Sequence, residues 1–225
     1  MDQLRAIKGS ADFFFVRHGE SEGNRDGVIQ GRTPSRLTAT GRDQARRAGA
    51  WFKGKQIQAV LTSPLGRSAE TAALISQEGA LPAPEPVEDL MEIDVGLFTG
   101  MRGAEARERY PAEWKAFQHG SWEAVPGAER IDSLLARAGR VWDLLSTRAL
   151  AGTTRILCVT HSGFLQWIIR ATFGGRTWMP LFSGGGNCGV SHLRVTNTPQ
   201  DGAPPGHMAT WVLINSSIDP DAPSH

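Results

Sequence analysis

Two histidines stand just beyond short apolar runs of this sequence. Arg17 and His18 follow the run at about 12–16, and His161 follows the run 155–160. Apolar runs of this length predict buried strands. A neutral imidazole is a good nucleophile near neutral pH, and a covalent intermediate divides one difficult displacement into two easier ones. We therefore expect the two histidines to face each other across one site, beyond the carboxyl ends of the strands.

Two further polar residues follow other predicted strands. Arg67 comes after the apolar run 59–62, and Glu92 comes after a third short strand. Two arginines, two histidines and one carboxylate suit the transfer of a phosphoryl group through a histidine. Forked guanidinium donors match the oxygens of the transferred group, and a glutamate can give a proton to the leaving oxygen.

Strands that alternate with helices surround these residues and predict an α/β fold: a mostly parallel central sheet with helices on both faces. Thr38 is expected to cap a helix that runs to about residue 53, and the segment 82–90 is too rich in proline for a helix and leads to the third strand. Further helices are expected from about 63, over much of 102–150 and over 161–173, and closing strands over 190–196 and 208–215.

The domain organisation follows from the same pattern. We expect one domain over residues 1–225, with a helical insertion after the third strand at about 102–150 and a flexible tail at about 216–225. The apolar stripe in the insertion has the three-and-four spacing of a helix. It consists of Ile131, Leu134, Leu135, Ala138, Val141, Trp142 and Leu145.

Composition excludes several classes of partner. The 225 residues carry 24 basic and 23 acidic side chains, so no strong field favours nucleic acid or an anionic membrane. No apolar run approaches the roughly 20 residues of a membrane span, and the N-terminus lacks the features of a signal peptide. Two cysteines, Cys158 and Cys188, make no disulfide framework or zinc motif. We expect a cytoplasmic protein, and the oligomeric state stays open, with a dimer as one alternative.

The sequence also resembles the histidine phosphatase superfamily, in the branch that includes phosphoglycerate mutases and related small-molecule phosphatases. The resemblance covers nearly the whole chain and depends on the order of several motifs. These are RHGES and Asn24 (17–24), QG (30–31), a leucine, threonine, glycine and glutamine pattern (37–45), TSPLGRSAETA (62–72), a pattern of leucine, glutamate and glycines (90–100) and VTHSG (159–163).

The resemblance implies a role for each site residue. His18 would be the phosphorylated nucleophile and Glu92 the acid and base, and the phosphoryl oxygens would be bound by Arg17, Arg67 and His161. Four further residues would line the substrate pocket: Asn24, Gln30, Gly31 and Ser162. The expected activity is that of a histidine-acid-type phosphatase, a phosphoric monoester hydrolase that acts on a small phosphorylated metabolite without a cofactor or metal.

Two other functions stay open. The first is a phosphotransferase of the phosphoglycerate mutase type. That function is less favoured because EIDVG (92–96) replaces the tyrosine-containing stretch of those mutases, and the adjacent arginine pair of their insertion is missing. The second is a non-catalytic regulatory module that binds a phosphorylated ligand. The presence of all five catalytic residues argues against such a module.

Simpler interpretations exist for individual residues. A zinc site at the histidines would need further ligands, and the arginines would repel the metal. By composition alone, any of Glu88, Asp89 and Asp94 could replace Glu92. Four aromatic residues could wall the site or belong to the core, with the core favoured: Trp114, Phe117, Trp122 and Trp178. Asn187 could touch the site, and His119 is a surface or packing residue whose place in the insertion leaves a site role open.

Overall fold

A computed structural model of the chain describes residues 2–119, 122–174, 186–197 and 208–218. Within them lies a six-stranded sheet in the order β3-β2-β4-β1-β5-β6. The strands β1 to β4 run parallel, whereas β5 is antiparallel to both β1 and β6. The strand bounds are β1 Gly9–Arg17, β2 Ala59–Thr62, β3 Pro84–Pro86, β4 Arg155–Thr160, β5 Val190–Asn197 and β6 Met208–Ser216. The predicted α/β class with a mostly parallel sheet is confirmed.

Seven α-helices lie in the described part of the chain. Short 3-10 helices accompany them at Asp2–Ala6, Glu88–Leu90, Gly96–Phe98 and Trp122–Ala124. The α-helices are α1 Glu22–Arg25, α2 Ala39–Phe52, α3 Gly66–Gly79, α4 Gly103–Arg109, α5 Pro111–Gln118, α6 Ile131–Leu150 and α7 Ser162–Arg170. Three of them, α4 to α6, fill the segment that the sequence predicts as a helical insertion.

Helices cover both faces of the sheet because alternate residues of each strand point to opposite sides. Phe13 and Phe15 of β1 pack with α6 and α7 in one buried cluster. Phe14 and Val16 face the other way and pack with α2 and α3 in a second cluster. The α7 helix is buried from Phe164 to Arg170, as its nearly continuous apolar sequence predicts.

The start of α2 shows how the sequence sets a helix boundary. The Thr38 hydroxyl accepts a hydrogen bond from the Gly41 N–H at 3.0 Å, which satisfies one of the free N–H groups of the first turn. Thr38 is therefore the predicted N-cap. The buried face of α2 includes Ala45, Ala48 and Phe52, and its arginines lie on the exposed or half-exposed side.

The third strand was predicted in the wrong place. β3 lies inside the proline-rich segment, at Pro84–Pro86, and the residues after it form the 3-10 helix Glu88–Leu90. Within the described residues β3 pairs with β2 alone, so it is an edge strand. Edge strands tolerate proline because one side of their backbone needs no hydrogen-bond partner.

The ends of the chain differ partly from the prediction. The tail expected over 216–225 overlaps β6, whose last residue is Ser216, and Ile218 packs against the second buried cluster. Residues 219–225 lie outside the described part. Both cysteines are buried free thiols. No helix in the described residues is long and apolar enough to cross a membrane.

Candidate active site

The carboxyl ends of β1, β2 and β4 meet at one edge of the sheet. Arg17 is the last residue of β1 and pairs in register with Thr160 of β4. His18 and His161 follow directly, and their ring centroids lie 5.1 Å apart. The structure therefore brings together the two histidines that the sequence placed after separate strands. His161 also stands at the N-cap position of α7.

His18 is buried and has a defined tautomer. Its Nδ1 lies 2.7 Å from the Gly19 carbonyl oxygen, which can only accept, so Nδ1 carries the ring proton. Nε2 then has a lone pair, toward which the Nε–H of Arg67 points at 3.3 Å. Burial and the charges of Arg67 and Arg17 hold the pKa of His18 well below its usual value. The lowered pKa favours a neutral His18 imidazole, whose lone pair is on Nε2 and beside Arg67.

Arg67 is a cation in contact with backbone rather than carboxylate groups. Its side chain is 1% exposed, and its Nη atoms donate to the carbonyl oxygens of Gly31 at 2.7 Å and Thr33 at 3.0 Å. Gly31 has a φ of +50°, and a Cβ there would lie 2.9 Å from Val95 Cγ2. Only glycine suits this position without strain. Within the described residues, Arg67 uses three of its five N–H donors.

His161 is buried on the other side of the site. Its Nε2 lies 2.8 Å from the hydroxyl oxygen of Ser63, the residue that follows β2. Within the described part of the chain its Nδ1 has no hydrogen-bond partner. Burial, followed by His18 and Arg67, holds the pKa of His161 well below its usual value. The sequence patterns predicted no role for Ser63, although Ser63 directly follows a buried strand, which is the pattern that pointed to the two histidines.

Glu92 reaches the site from the loop after the 3-10 helix Glu88–Leu90. Its carboxylate accepts hydrogen bonds from the N–H groups of Phe164 at 2.9 Å, Gly163 at 3.3 Å and its neighbour Ile93 at 2.9 Å. Two of these donors belong to the first turn of α7, where a negative charge is favourable. A Cβ on Gly163 would lie 2.5 Å from Glu92 Oε1, so a side chain there would displace the carboxylate.

A buried ion pair holds the loop that carries Glu92. Arg137 of α6 forms a two-pronged pair with Glu129, at 2.8 and 3.0 Å. The other Nη of Arg137 donates to the Met91 carbonyl oxygen at 2.5 Å. Arg32 pairs with the same glutamate at 2.9 Å and donates to the Glu92 carbonyl oxygen at 3.1 Å. The loop is therefore fixed to both the insertion and the loop after α1.

Two of the predicted pocket residues, Asn24 and Gln30, belong to one network of polar side chains. The Ser21 hydroxyl lies 2.9 Å from Asn24 Oδ1 and 3.0 Å from Gln30 Oε1. Asn187 donates from Nδ2 to Asn24 Oδ1 at 3.2 Å and to the His18 carbonyl oxygen at 3.0 Å. The suggested contact of Asn187 with the site thus exists, through the backbone of His18. His119 is exposed and bonds to Lys115, outside the cavity lining.

A cavity of about 200 Å³ opens above these residues. Its lining includes the polar residues Arg17, His18 and Arg67 and also Phe117, for which the sequence favours a place in the core. The described lining residues are Arg17, His18, Asn24, Val28, Ile29, Gln30, Gly31, Arg67, Glu92, Ile93, Val95, Phe117, Ser162 and Gly163. Trp114 packs beside Phe98 and Phe117, and Trp178 and the Trp122 side chain lie outside the described part.

The side chains around the cavity determine which kind of ligand it suits. The described residues contain no group of three or more histidine, cysteine, aspartate or glutamate side chains that could hold a metal ion. The polar groups around the cavity are guanidinium donors, imidazoles, amides and one carboxylate. That donor set suits an anion with several oxygens.

The family of the chain follows from comparison with known proteins. A family model of the histidine phosphatase superfamily (branch 1) matches residues 13–201, most of the chain. The chain belongs to this superfamily. The matched span contains the five candidate catalytic residues and all the described lining residues of the cavity.

Named relatives include both phosphatases and mutases. A metal-independent phosphoserine phosphatase from Arabidopsis thaliana is 32% identical over 216 residues, covering 94% of this chain and 89% of the relative. A 2,3-bisphosphoglycerate-dependent phosphoglycerate mutase from Methylorubrum populi is 33% identical over 172 residues, covering 72% and 79%. A 2-carboxy-D-arabinitol-1-phosphatase from Triticum aestivum is 32% identical over 194 residues. That match covers 84% of this chain but only 38% of the wheat protein.

Solved structures have the same fold. A phosphoserine phosphatase from Entamoeba histolytica, solved in complex with phosphoserine, superimposes with a TM-score of 0.72. The match covers 91% of this chain and 96% of the other, at 24% sequence identity. The arrangement of sheet and helices is therefore that of a known histidine phosphatase fold.

Proposed function

We propose that the protein is a metal-independent phosphomonoesterase that acts on a small phosphorylated metabolite through a phosphohistidine intermediate. The observation that carries this proposal is the state of His18: buried, neutral, and with the Nε2 lone pair beside Arg67. The family and the phosphatase names of its relatives support the same reaction class.

In the first step, the Nε2 lone pair of His18 attacks phosphorus, and the bond between phosphorus and the leaving oxygen breaks. Arg17, Arg67 and His161 would bind the three equatorial oxygens, whose charge is spread in the transition state. Glu92, protonated at this stage, gives its proton to the leaving oxygen so that a neutral alcohol departs. Asn24, Gln30, Gly31 and Ser162 would line the substrate pocket.

In the second step, water takes the place of the alcohol. The Glu92 carboxylate accepts a proton from this water as its oxygen attacks phosphorus. The bond between phosphorus and Nε2 breaks, its electron pair returns to His18, and inorganic phosphate leaves. Glu92 is then protonated again, which is the state that the first step requires, so the cycle closes without a cofactor.

The size and lining of the cavity support a small substrate. About 200 Å³ is at the small end for ligand pockets, and the described lining includes the apolar side chains of Val28, Ile29 and Phe117. We also infer one domain over 1–225 and a cytoplasmic location, from the sequence alone; a dimer is one alternative for the oligomeric state. Nucleic acid and membrane partners are not expected, given the balanced charge.

The mutase relatives favour one second candidate, a phosphoglycerate mutase-type phosphotransferase. A phosphoglycerate carries a carboxylate besides its phosphate and needs further positive charge. Among the described lining residues the guanidinium groups are those of Arg17 and Arg67, both beside His18. At the start of α7, the N–H groups of Gly163 and Phe164 already donate to Glu92. These contacts favour the phosphatase.

Rapid-quench labelling tests the proposal. The chain, kept in EDTA, is mixed briefly with a radiolabelled phenyl phosphate and quenched in base, and its peptides are mapped. We expect an acid-labile, base-stable label on the peptide that contains His18, and none in His18→Ala. The same sample, given labelled phosphoglycerate, should release inorganic phosphate far faster than it interconverts the 2- and 3-isomers.

Each other outcome selects an alternative. A label on His161, or turnover without any label, would contradict the assignment of the nucleophile. Loss of turnover in EDTA that zinc or magnesium restores would favour a metal-dependent reaction. Isomer interconversion faster than phosphate release would favour the mutase, and binding without turnover of a panel of phosphomonoesters would favour the regulatory module.

A further inference from the structure

We propose that Ser63 fixes the tautomer of His161, so that the Nδ1–H of His161 is the group that donates to the phosphoryl oxygens. Ser63 would be a positioning residue, since it acts through the histidine and not on the substrate. The inference rests on the proposed function, because it assigns an atom and a partner to the phosphoryl-binding role of His161.

Ser63 is held rigidly beside the histidine. It follows β2, is fully buried, and donates its backbone N–H to the Val159 carbonyl oxygen at 3.0 Å, which ties it to β4. Its hydroxyl oxygen accepts a hydrogen bond from the Leu65 N–H at 3.2 Å and lies 2.8 Å from His161 Nε2. The hydroxyl therefore has two contacts at a position where water has no access.

The direction of the hydrogen bond follows from counting protons. A serine hydroxyl has one proton to donate and two lone pairs to accept with. The Leu65 N–H uses one lone pair, and Nε2 of His161 is the acceptor that the described part of the chain offers to the proton. The opposite direction would leave the buried hydroxyl proton without any acceptor, which is costly. The proposed direction leaves only the Nδ1–H of His161 without one within the described residues, and a bound phosphoryl group can accept from that proton. Ser63 thus donates, and Nε2 accepts.

The ring proton of His161 must then be on Nδ1. Burial and the nearby positive charges of Arg67, Arg137 and Arg17 keep His161 neutral, as its lowered pKa indicates, so the ring has one proton to place. On Nδ1, that proton makes a donor; with the other tautomer, Nδ1 would present a lone pair. Nδ1 is buried, unpartnered within the described residues, and on a ring 5.1 Å from that of His18.

A fixed N–H next to the nucleophile has a defined use. As the bond from His18 Nε2 to phosphorus forms, negative charge on the equatorial oxygens needs donors that are already oriented. A lone pair at the same place would repel those oxygens. The tautomer of His161, set by Ser63, therefore decides whether this histidine assists or opposes the reaction.

Nuclear magnetic resonance of the full chain with isotope-labelled histidine ring nitrogens tests the proposal directly. In the wild type we expect Nδ1 of His161 to be protonated and Nε2 to be unprotonated, and the Nδ1 proton signal to shift when orthovanadate is added. Ser63→Ala should give a mixture of tautomers with Nε2–H present. Ser63→Thr retains the hydroxyl and should restore the wild-type pattern.

The matched control is Ser68→Ala. Ser68 is also fully buried at this edge of the sheet, and its hydroxyl donates to the same Val159 carbonyl oxygen, at 3.0 Å, without touching His161. Ser68→Ala should keep the His161 tautomer. In activity, Ser63→Ala should lower kcat/KM by about 10- to 100-fold, as loss of a residue that orients a functional histidine typically does, and Ser63→Thr should recover most of it.

An Nε2-protonated His161 in the wild type would overturn the proposal, even if Ser63→Ala fails to fold. An unchanged tautomer in Ser63→Ala, or an equal loss of activity in Ser68→Ala, would overturn it as well. The tautomer is measured without substrate. If the phosphohistidine mechanism is wrong, the labelling experiment shows it and the tautomer result is unaffected. If the tautomer assignment is wrong, the NMR experiment shows it and the labelling result is unaffected.

Discussion

The strand β1 carries two buried clusters of polar side chains, and they are built differently. Near its start, Asp12 accepts hydrogen bonds from His192 at 2.7 Å, Arg194 at 2.8 Å and Arg155 at 3.1 Å. Just past its end stands His18, about 20 Å away at the usual rise per strand residue. Both clusters combine histidine with arginine on the same sheet.

The arginines of the two clusters have different hydrogen-bond partners. At the Asp12 cluster both guanidinium groups point at one carboxylate, and each remains partly exposed, Arg155 by 34% and Arg194 by 48%. At the site, Arg67 is 1% exposed and bonds to two carbonyl oxygens and the His18 lone pair. A buried charge without a counter-ion is costly unless something else compensates it.

We infer that the Asp12 cluster stabilises the fold and that the cluster at the site serves to bind a ligand. In the Asp12 cluster both arginines bond directly to the Asp12 carboxylate, so their charges are matched when the chain folds. At the site, by contrast, the hydrogen bonds that the Glu92 carboxylate accepts within the described residues come from backbone N–H groups. The site cluster keeps two N–H donors of Arg67, which lines the cavity, and the buried Nδ1 of His161, which has no hydrogen-bond partner within the described residues. A phosphoryl group can match these groups. Substitutions in the first cluster should therefore change stability, and substitutions in the second should change activity.

The largest expected effect is that of Arg67→Lys. Lysine retains the positive charge but loses the fork, including the two N–H donors that the described contacts leave for phosphoryl oxygens. We expect kcat/KM to fall by about 10³-fold, the upper range for loss of an oriented transition-state donor. Steady-state kinetics with a phosphomonoester measures it. Arg42→Lys, on the half-exposed face of α2 and paired with Glu70, is the matched control and should change little.

If Arg67→Lys lowers kcat/KM by less than tenfold, the positive charge alone is sufficient at the site, and the proposed role of the free N–H donors is wrong. The midpoint of thermal unfolding should be recorded for both variants. If Arg67→Lys unfolds at a much lower temperature while Arg42→Lys does not, Arg67 serves the fold as well as the site.

Glu92→Gln should have a smaller and substrate-dependent effect. The glutamine keeps the size of the side chain but cannot give a proton, and an alkyl alkoxide needs that proton more than p-nitrophenolate does. We expect kcat/KM to fall about 10²-fold for an alkyl phosphate and clearly less for p-nitrophenyl phosphate. The exposed Glu88→Gln, four residues earlier in the same loop region, is the control.

The two substrates must be compared by kcat/KM, which reports the first chemical step. Equal losses for both would exclude Glu92 as the acid, and Asp89 and Asp94 would then be tested in the same way. Substitution of Glu92 should also lower the stability of the protein less than substitution of Asp12 does. Its carboxylate accepts from backbone N–H groups, which a glutamine oxygen can replace in part, so Glu92→Gln should unfold near the wild-type temperature.

Much of the fold was predictable because its buried strands are uninterrupted apolar runs. The predicted bounds of β2 and β4 agree with the structure, and both faces of their neighbour β1 are covered by helices. β3 was missed because its sequence, Pro84–Pro86, has neither apolar character nor strand propensity. It is a strand only through pairing with β2 at the sheet edge, which is a tertiary effect that local sequence does not encode.

The site was predictable to the extent that its residues directly follow strands or match the family motifs. Ser63 follows β2 but has an ordinary residue type, and only its distance to His161 gives it a role. Phe117 lies in the insertion, where helical spacing indicates a packed face; it does pack on Phe98, and it also lines the cavity. Whether a residue such as Phe117 both packs in the core and lines the cavity depends on the position of α5 relative to the sheet. The helical periodicity of the sequence does not determine that position.

The smallest expected effect is the loss of stability in Asp12→Asn. Burial raises the pKa of Asp12, but hydrogen bonds from Arg194 and His192 outweigh it, so that its pKa is lowered overall. Asparagine keeps the shape and removes the charge. Because the guanidinium partners are partly exposed and screened, we expect a loss of only about 1–2 kcal/mol in the free energy of unfolding. Denaturant unfolding measures it, and kcat/KM should stay within about twofold.

The pH dependence of this difference identifies its cause. A carboxyl group with a lowered folded-state pKa stabilises the protein fully above its unfolded pKa, about 3.8, and loses that contribution as the pH falls through the folded value. Wild type and Asp12→Asn should therefore differ at pH 7, and the difference should vanish only when the pH falls below the lowered folded-state pKa of Asp12. A difference that persists in acid would mean that shape and not charge holds this cluster. A large fall in kcat/KM at neutral pH would mean that the two ends of β1 are coupled, and the separation between a folding cluster and a catalytic cluster would fail.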